Sequence, residues 1–122
     1  MLIYGLDYIK NQFTALEFEL GLSVNNVSCV KFSEEILAKP NIKRAIFCDT
    51  LSEVLQSNAA LCEYIIPNAK ILKDSVFLAE KYLFDSKILS FIKDTSDIEK
   101  AALIGVDAVL FCDFKDCNDY YI

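Results

Sequence analysis

Met1-Leu2-Ile3-Tyr4-Gly5-Leu6-Asp7-Tyr8-Ile9-Lys10 opens the chain, and the reading of this stretch decides the fold. Apolar residues run into Gly5, a tight turn follows, and the spacing of Phe13, Leu16, Phe18 and Leu20 predicts a helix from about Asn11 to Leu20. Glu17 and Glu19 lie on its wet side and Gly21 is placed to end it. A strand, a glycine turn and a helix in this order begin an α/β sheet of the kind that rests a pyrophosphate on the helix N-terminus. Such a turn is patterned G-x-G-x-x-G. Here it reads G-L-D-Y-I-K: the first glycine is present, Asp7 stands at the second and Lys10 at the third.

The same rhythm continues outward. Val27 to Phe32 reads as a second strand, Glu34 to Lys39 as one or two helical turns stopped by Pro40, and Arg44 to Cys48 as a third strand. Ser52 is expected to cap a helix reaching about Ala60. Cys62 to Ile66 is the fourth strand, and an amphipathic helix from Ala69 to about Leu83 follows Pro67-Asn68. Lys87 to Ile92 is the fifth strand, Asp97 to Ile104 a helix capped by Thr95 or Ser96 and ended by Gly105, and Val106 to Cys112 the sixth strand. The tail from Asp113 to Ile122 is polar and then aromatic, a loop or a docking segment.

Continuous apolar strands separated by helices imply a parallel sheet covered on both faces. The expectation is one α/β domain spanning residues 1–122: a doubly wound, Rossmann-like parallel sheet of six strands with helices on both faces. Half of a β/α barrel has the same rhythm but leaves open edges, and ranks second.

With 122 residues, 54% of them hydrophobic, the chain can bury one core without staples. A net charge of −6 argues against nucleic acid as a partner. No apolar run approaches the ~18 residues of a membrane span, and no export signal is visible, so a cytoplasmic protein without direct membrane insertion is expected. There is no histidine and no C-x-x-C pair among Cys29, Cys48, Cys62, Cys112 and Cys117, which argues against zinc sites and histidine acid–base catalysis. Reduced, buried thiols are the simpler reading.

Ala45-Ile46-Phe47-Cys48-Asp49, a helix with Leu55, and Cys62-Glu63-Tyr64-Ile65-Ile66 together resemble the run after the third strand of RCK domains. These are the regulators of potassium conductance, also called TrkA-N domains. Ser86 to Ile92 and Ala102-Leu103-Ile104-Gly105-Val106-Asp107-Ala108-Val109-Leu110 are similar to that family's closing strand, helix and strand, and Ile3-Tyr4-Gly5-Leu6 to its opening. The resemblance implies a cytosolic, non-enzymatic gating domain of a potassium channel or uptake system. It would form a dimer or ring, at the inner face of a membrane through a channel or transporter subunit. The cofactor it implies is a nucleotide such as NAD or ATP, at Gly5, Leu6, Asp7, Tyr8, Ile9, Lys31, Asp49 and Thr50.

The departures from that pattern bear on the ligand. Asp7 puts a carboxylate where a pyrophosphate would lie, and Lys31 stands where an acid should hold a ribose. Ordinary NAD binding is therefore expected to be lost, unless Lys10 and Lys31 take the phosphate of a different nucleotide. Asp49, followed by Thr50, reads first as a helix cap. A second class of function stays open: a small enzyme or ligand-binding protein holding a divalent metal on a rim formed by Asp7, Asp49, Asp94 and Asp113.

Overall fold

The strands of the computed structural model are β1 (Leu2–Tyr4), β2 (Phe18–Leu20), β3 (Val27–Lys31), β4 (Arg44–Cys48), β5 (Tyr64–Pro67), β6 (Lys87–Ile92) and β7 (Ala108–Phe111). Its helices are α1 (Glu34–Ala38), α2 (Leu51–Ala59), α3 (Leu72–Lys81) and α4 (Asp97–Ile104), with short 3-10 turns at Ala69–Ile71 and Asn118–Tyr120. Residues 1–9, 18–21, 27–39 and 43–122 are described. Lys10 and the part of the expected first helix at 11–17 lie outside them, as does Pro40.

The α/β class and the parallel sheet stand, with seven strands rather than six, curled into a half-barrel. The extra strand is β2: Phe18-Glu19-Leu20 pairs in parallel with Val27-Ser28-Cys29, where a helix end was expected. The strand order is β1-β7-β6-β5-β4-β3-β2, so from β2 to β7 each new strand is added on the same side of the last. A right-handed crossover places its helix on a face set by the direction of that step. Steps in one direction put the helices between these strands on one face, and among the described residues the doubly wound arrangement, with helices on both faces, does not arise.

Burial shows the consequence. Ile46, Cys48, Ile65, Ile88, Ile92 and Val109 point outward and pack with Val54 of α2, Leu72 and Val76 of α3 and Ala101 of α4. The alternate residues, Tyr4, Cys29, Ala45, Phe47, Tyr64, Leu89, Phe91 and Leu110, form a second cluster that has no α-helical member among the described residues. A sheet face without helices must bury itself, and this one does so by curling. Tyr4 of β1 lies 5.2 Å, ring centroid to centroid, from Phe18 of β2 at the opposite edge. Its hydroxyl also meets that of Tyr64 at 2.9 Å inside the curl.

Local chemistry explains the helix ends. Thr50, not Ser52, caps α2, its hydroxyl oxygen accepting from Glu53 N at 3.2 Å. Glu53 reaches back to accept from Asp49 N at 3.1 Å, a variant of the capping box. Gly105 ends α4 in the left-handed conformation, as expected. Buried Arg44 donates through Nη1 to the carbonyls of Ile36 and Lys39, satisfying the end of α1.

Candidate functional site: the mouth of the curled sheet

Parallel sheets present functional groups at the carboxyl ends of their strands. Here that end carries Gly5, Lys31, Asp49, Asn68, Lys93 and Cys112, each just past or at the end of a strand. Its dominant feature is the chain's own C-terminal segment, which folds across it.

Three anchors seat that segment. The Tyr120 hydroxyl donates to Asp49 Oδ1 at 2.6 Å, and its ring lies 4.5 Å from Phe47 on the inner face. Tyr121 forms a parallel bridge with Phe91, and Ile122 N donates to Phe91 O at 3.1 Å. The side of β6 on which this occurs follows from alternation. Ile88 O and Ile92 O accept from the β7 side, whereas Lys87 N donates to Glu63 O on the β5 side, so the Phe91 carbonyl also faces β5. β5 pairs with β6 at Tyr64↔Lys87 and Ile65↔Ile88, and beside Phe91 the tail takes the neighbouring place. The third anchor is the Tyr121 hydroxyl, which accepts from Phe114 N and donates to Cys112 O, both at 2.9 Å. Lys93 Nζ sits 4.6 Å above the Tyr121 ring, a cation–π contact, and donates to Asn118 at 3.3 Å. The fully buried Phe91 ring is the hub, meeting Phe47, Phe114 and Tyr121 at 5.7, 5.4 and 5.4 Å.

Burial sets the electrostatics. It raises the Tyr120 hydroxyl above its ordinary value, with the neighbouring Asp49 carboxylate adding to the effect, and it does the same to Tyr121. Both therefore stay neutral donors. Desolvation pushes the thiols of Cys29 and Cys48 up to about 12. Cys117 is also raised, first by burial and then by Asp116, with Lys31 opposing. All five cysteines are free, and all but the half-buried Cys112 are buried. None has the lowered pKa of a nucleophile.

The residues expected to bind a nucleotide fall at the ends of three strands that are not arranged as in a doubly wound sheet. Gly5, Leu6, Asp7, Tyr8 and Ile9 form one turn at the end of β1, closed by Ile9 N donating to Leu6 O at 3.2 Å. β1 lies at one sheet edge, hydrogen-bonded to β7, and Lys31 ends β3, the strand next to β2 at the other edge, so the two are not hydrogen-bonded neighbours although the curl brings Tyr4 of β1 against Phe18 of β2. In the doubly wound fold the ribose-holding residue would be on the neighbouring strand. Gly5 has another purpose: at φ +89° its missing Cβ would run into the Phe111 backbone, so glycine permits β1 to close on β7. Leu6 is buried, while Asp7 and Tyr8 are exposed. Lys31 is exposed at its strand end, its charge acting on Cys117 of the tail.

Asp49 binds Tyr120 and accepts a long 3.5 Å bond from Asn68, and Thr50 is the cap. Sequence reasoning gave Asp49 the capping role and missed its partner, seventy-one residues away. The aromatic pair Tyr120-Tyr121 was the available signal. Asp94 accepts from Ser96 N at 2.9 Å, which lowers its pKa, and among the described residues no three potential ligands could hold a metal ion.

No family model matches the chain, and no curated protein matches its sequence. Among the described residues no helix is long and apolar enough to cross a membrane.

Proposed function

We propose that the chain is a non-catalytic regulatory domain whose working part is the segment 113–122 across the mouth of the sheet. The observation that carries this reading is the seat itself: Tyr121 and Ile122 lie beside Phe91 and take the place next to β6. The seat is held by few groups. Beyond the ring contacts, these are the backbone bond to Phe91, the Tyr120–Asp49 bond and the Tyr121 hydroxyl bonds, with Lys93 outside. Withdrawing it would uncover the Phe47 and Phe91 rings to a partner. A ligand or partner that binds one arrangement better than the other would then shift the population between them.

This is the class of function that the resemblance to potassium-conductance regulators implies. Its finer content, potassium gating with a nucleotide at Gly5 to Ile9, rests on the sequence likeness alone. The observed strand order withholds the neighbouring strand that such a nucleotide site needs. Amide hydrogen exchange tests the regulatory reading. Ile122 N–H should exchange through a local opening of much lower free energy than the amides of β4 and β6. Exchange of Ile122 only through global unfolding would make the tail an ordinary part of the core, and the reading would fall. Addition of K⁺, NAD or ATP should alter Ile122 exchange if the gating role is of the potassium type.

A further inference from the structure

Between the start of α3 and the end of α4 lies a cleft of about 420 Å³, within the ~300–1,000 Å³ range of small-molecule sites. Its walls divide by chemistry. Leu72, Ile104 and the Ile122 side chain supply buried or half-buried apolar surface, and Lys70, Lys73 and Lys100 stand exposed around it, with Asp74 the one acidic side chain. The other described hollows are differently charged. One, of about 310 Å³, sets Lys43 and Lys87 against Glu63 and Asp85; another, of about 270 Å³, carries Glu80 and Asp107 with no cation. In a chain of net charge −6, the α3/α4 cleft thus gathers a positive excess around an apolar floor. Three ammonium groups around one hollow repel each other, and none has an ion-pair partner among the described residues.

We propose that this cleft binds a small organic phosphate, its phosphate held by Lys70, Lys73 and Lys100 and its apolar body lying on Leu72, Ile104 and Ile122. Lysine ammoniums are suited to phosphate as point charges. The beginning of α3 adds the favourable end of a helix dipole. The apolar floor selects against a bare anion, which would desolvate it for no return, and the lysines select against a neutral hydrocarbon. Ile122 belongs also to the tail that bonds Phe91, so a ligand in the cleft would favour the seated tail. That coupling, unlike the site itself, rests on the regulatory reading above.

The test uses 1-naphthyl phosphate as probe, titrated into the whole chain by calorimetry and by amide NMR shifts. Saturable binding is expected, with shifts at residues 70–74, 100–104 and 122, and much weaker binding of 1-naphthol and of inorganic phosphate. Lys73→Gln and Lys100→Gln, both at exposed positions, should each weaken binding about tenfold without unfolding the chain. Absence of saturable binding, shifts confined to other regions, or affinities unchanged in both variants would overturn the proposal. So would binding of phosphatidic acid vesicles through the same lysines with no binding of naphthyl phosphate, because the site would then be a lipid contact. If naphthyl phosphate binds at these residues but Ile122 exchange is not slowed, the site stands and the regulatory reading of the tail loses its support.

Discussion

Replacing Tyr120 by Phe removes one oxygen and leaves the ring in place, which isolates the bond that ties the tail to β4. The hydroxyl lies 2.6 Å from Asp49 Oδ1, on a residue only 8% exposed, and burial keeps it neutral at ordinary pH. A hydrogen bond to a charged group contributes ~1.5–3 kcal/mol. Asp49 is exposed, however, and water can take over its oxygen when the hydroxyl goes, so the expected loss is ~1 kcal/mol. For a domain of 122 residues this lowers Tm by roughly 3–5 °C. It should also speed local exchange at Ile122 about fivefold. Calorimetry and amide exchange on wild type, Y120F, D49N and the double variant form the assay, with an expected coupling energy of ~1 kcal/mol. Y120A, which also loses the contact with Phe47 at 4.5 Å, should cost ~3 kcal/mol or more. An unchanged Tm with zero coupling in the cycle would refute the reasoning, since the bond would then carry no energy in solution.

Three further outcomes follow from single groups. Cys29 and Cys48 ionise near 9.0 when unfolded but only at about 12 when folded, so unfolding releases protons above pH 9. Their contribution is unchanged below pH 9 and falls by ~1.4 kcal/mol per pH unit for each thiol from there towards 12; the other raised thiols and tyrosines act in the same direction, so urea melts between pH 8 and 11 should show at least this slope, and a flat profile would mean the thiols are not buried. Gly5→Ala places a Cβ against the Phe111 backbone at φ +89°, and a loss of ~2 kcal/mol or more with weakened protection of β1 and β7 amides is expected. A neutral result would show that β1 does not close on β7. Thr50→Ala removes the cap accepting from Glu53 N and should cost ~1 kcal/mol in thermal melts, whereas Ser52→Ala should cost little.

The elements were largely legible in the sequence, but their arrangement was not. β4 (Arg44–Cys48), β6 (Lys87–Ile92) and α4 (Asp97–Ile104) fall where apolar runs and Gly105 place them, because each is set by local spacing, although the expected side-chain cap of α4 does not form: Ser96 precedes the helix without a capping bond. Phe18-Glu19-Leu20 shows why short segments fail: apolar–polar–apolar over three residues satisfies a strand as well as a helix end. What decides it is distant, the meeting of Phe18 with Tyr4 and Tyr64 inside the curl at 5.2 Å each. Strand order is harder still. A sheet wound once and a sheet wound twice both bury two faces, so their strands are equally apolar and no single-strand pattern separates them. The glycine turn misled for the same reason. Gly5 is required by positive φ and by a neighbouring backbone, and that requirement looks alike in sequence whether the neighbour is Phe111 or a phosphate.

The tail and the one-sided helix layer are two results of one constraint. Helices α2, α3 and α4 bury the outer face, and among the described residues the inner face finds its cover in strands and loops. Curling brings Tyr4, Phe18 and Tyr64 together, but Phe47 and Phe91 lie towards the carboxyl ends of β4 and β6, where the mouth opens. Left uncovered, two aromatic rings would expose a large apolar surface, at about 25 cal/mol per Å². Phe114, Cys117, Tyr120 and Tyr121 provide the cover, and tyrosine suits the place because its ring faces inward while its hydroxyl meets Asp49 or the Cys112 carbonyl at the edge. The usual ligand end of a parallel half-barrel is therefore occupied by the chain itself. A small molecule must then either displace the tail or bind elsewhere, and the lysine-rimmed cleft beneath Ile122 is where the charge of the molecule makes that second course favourable.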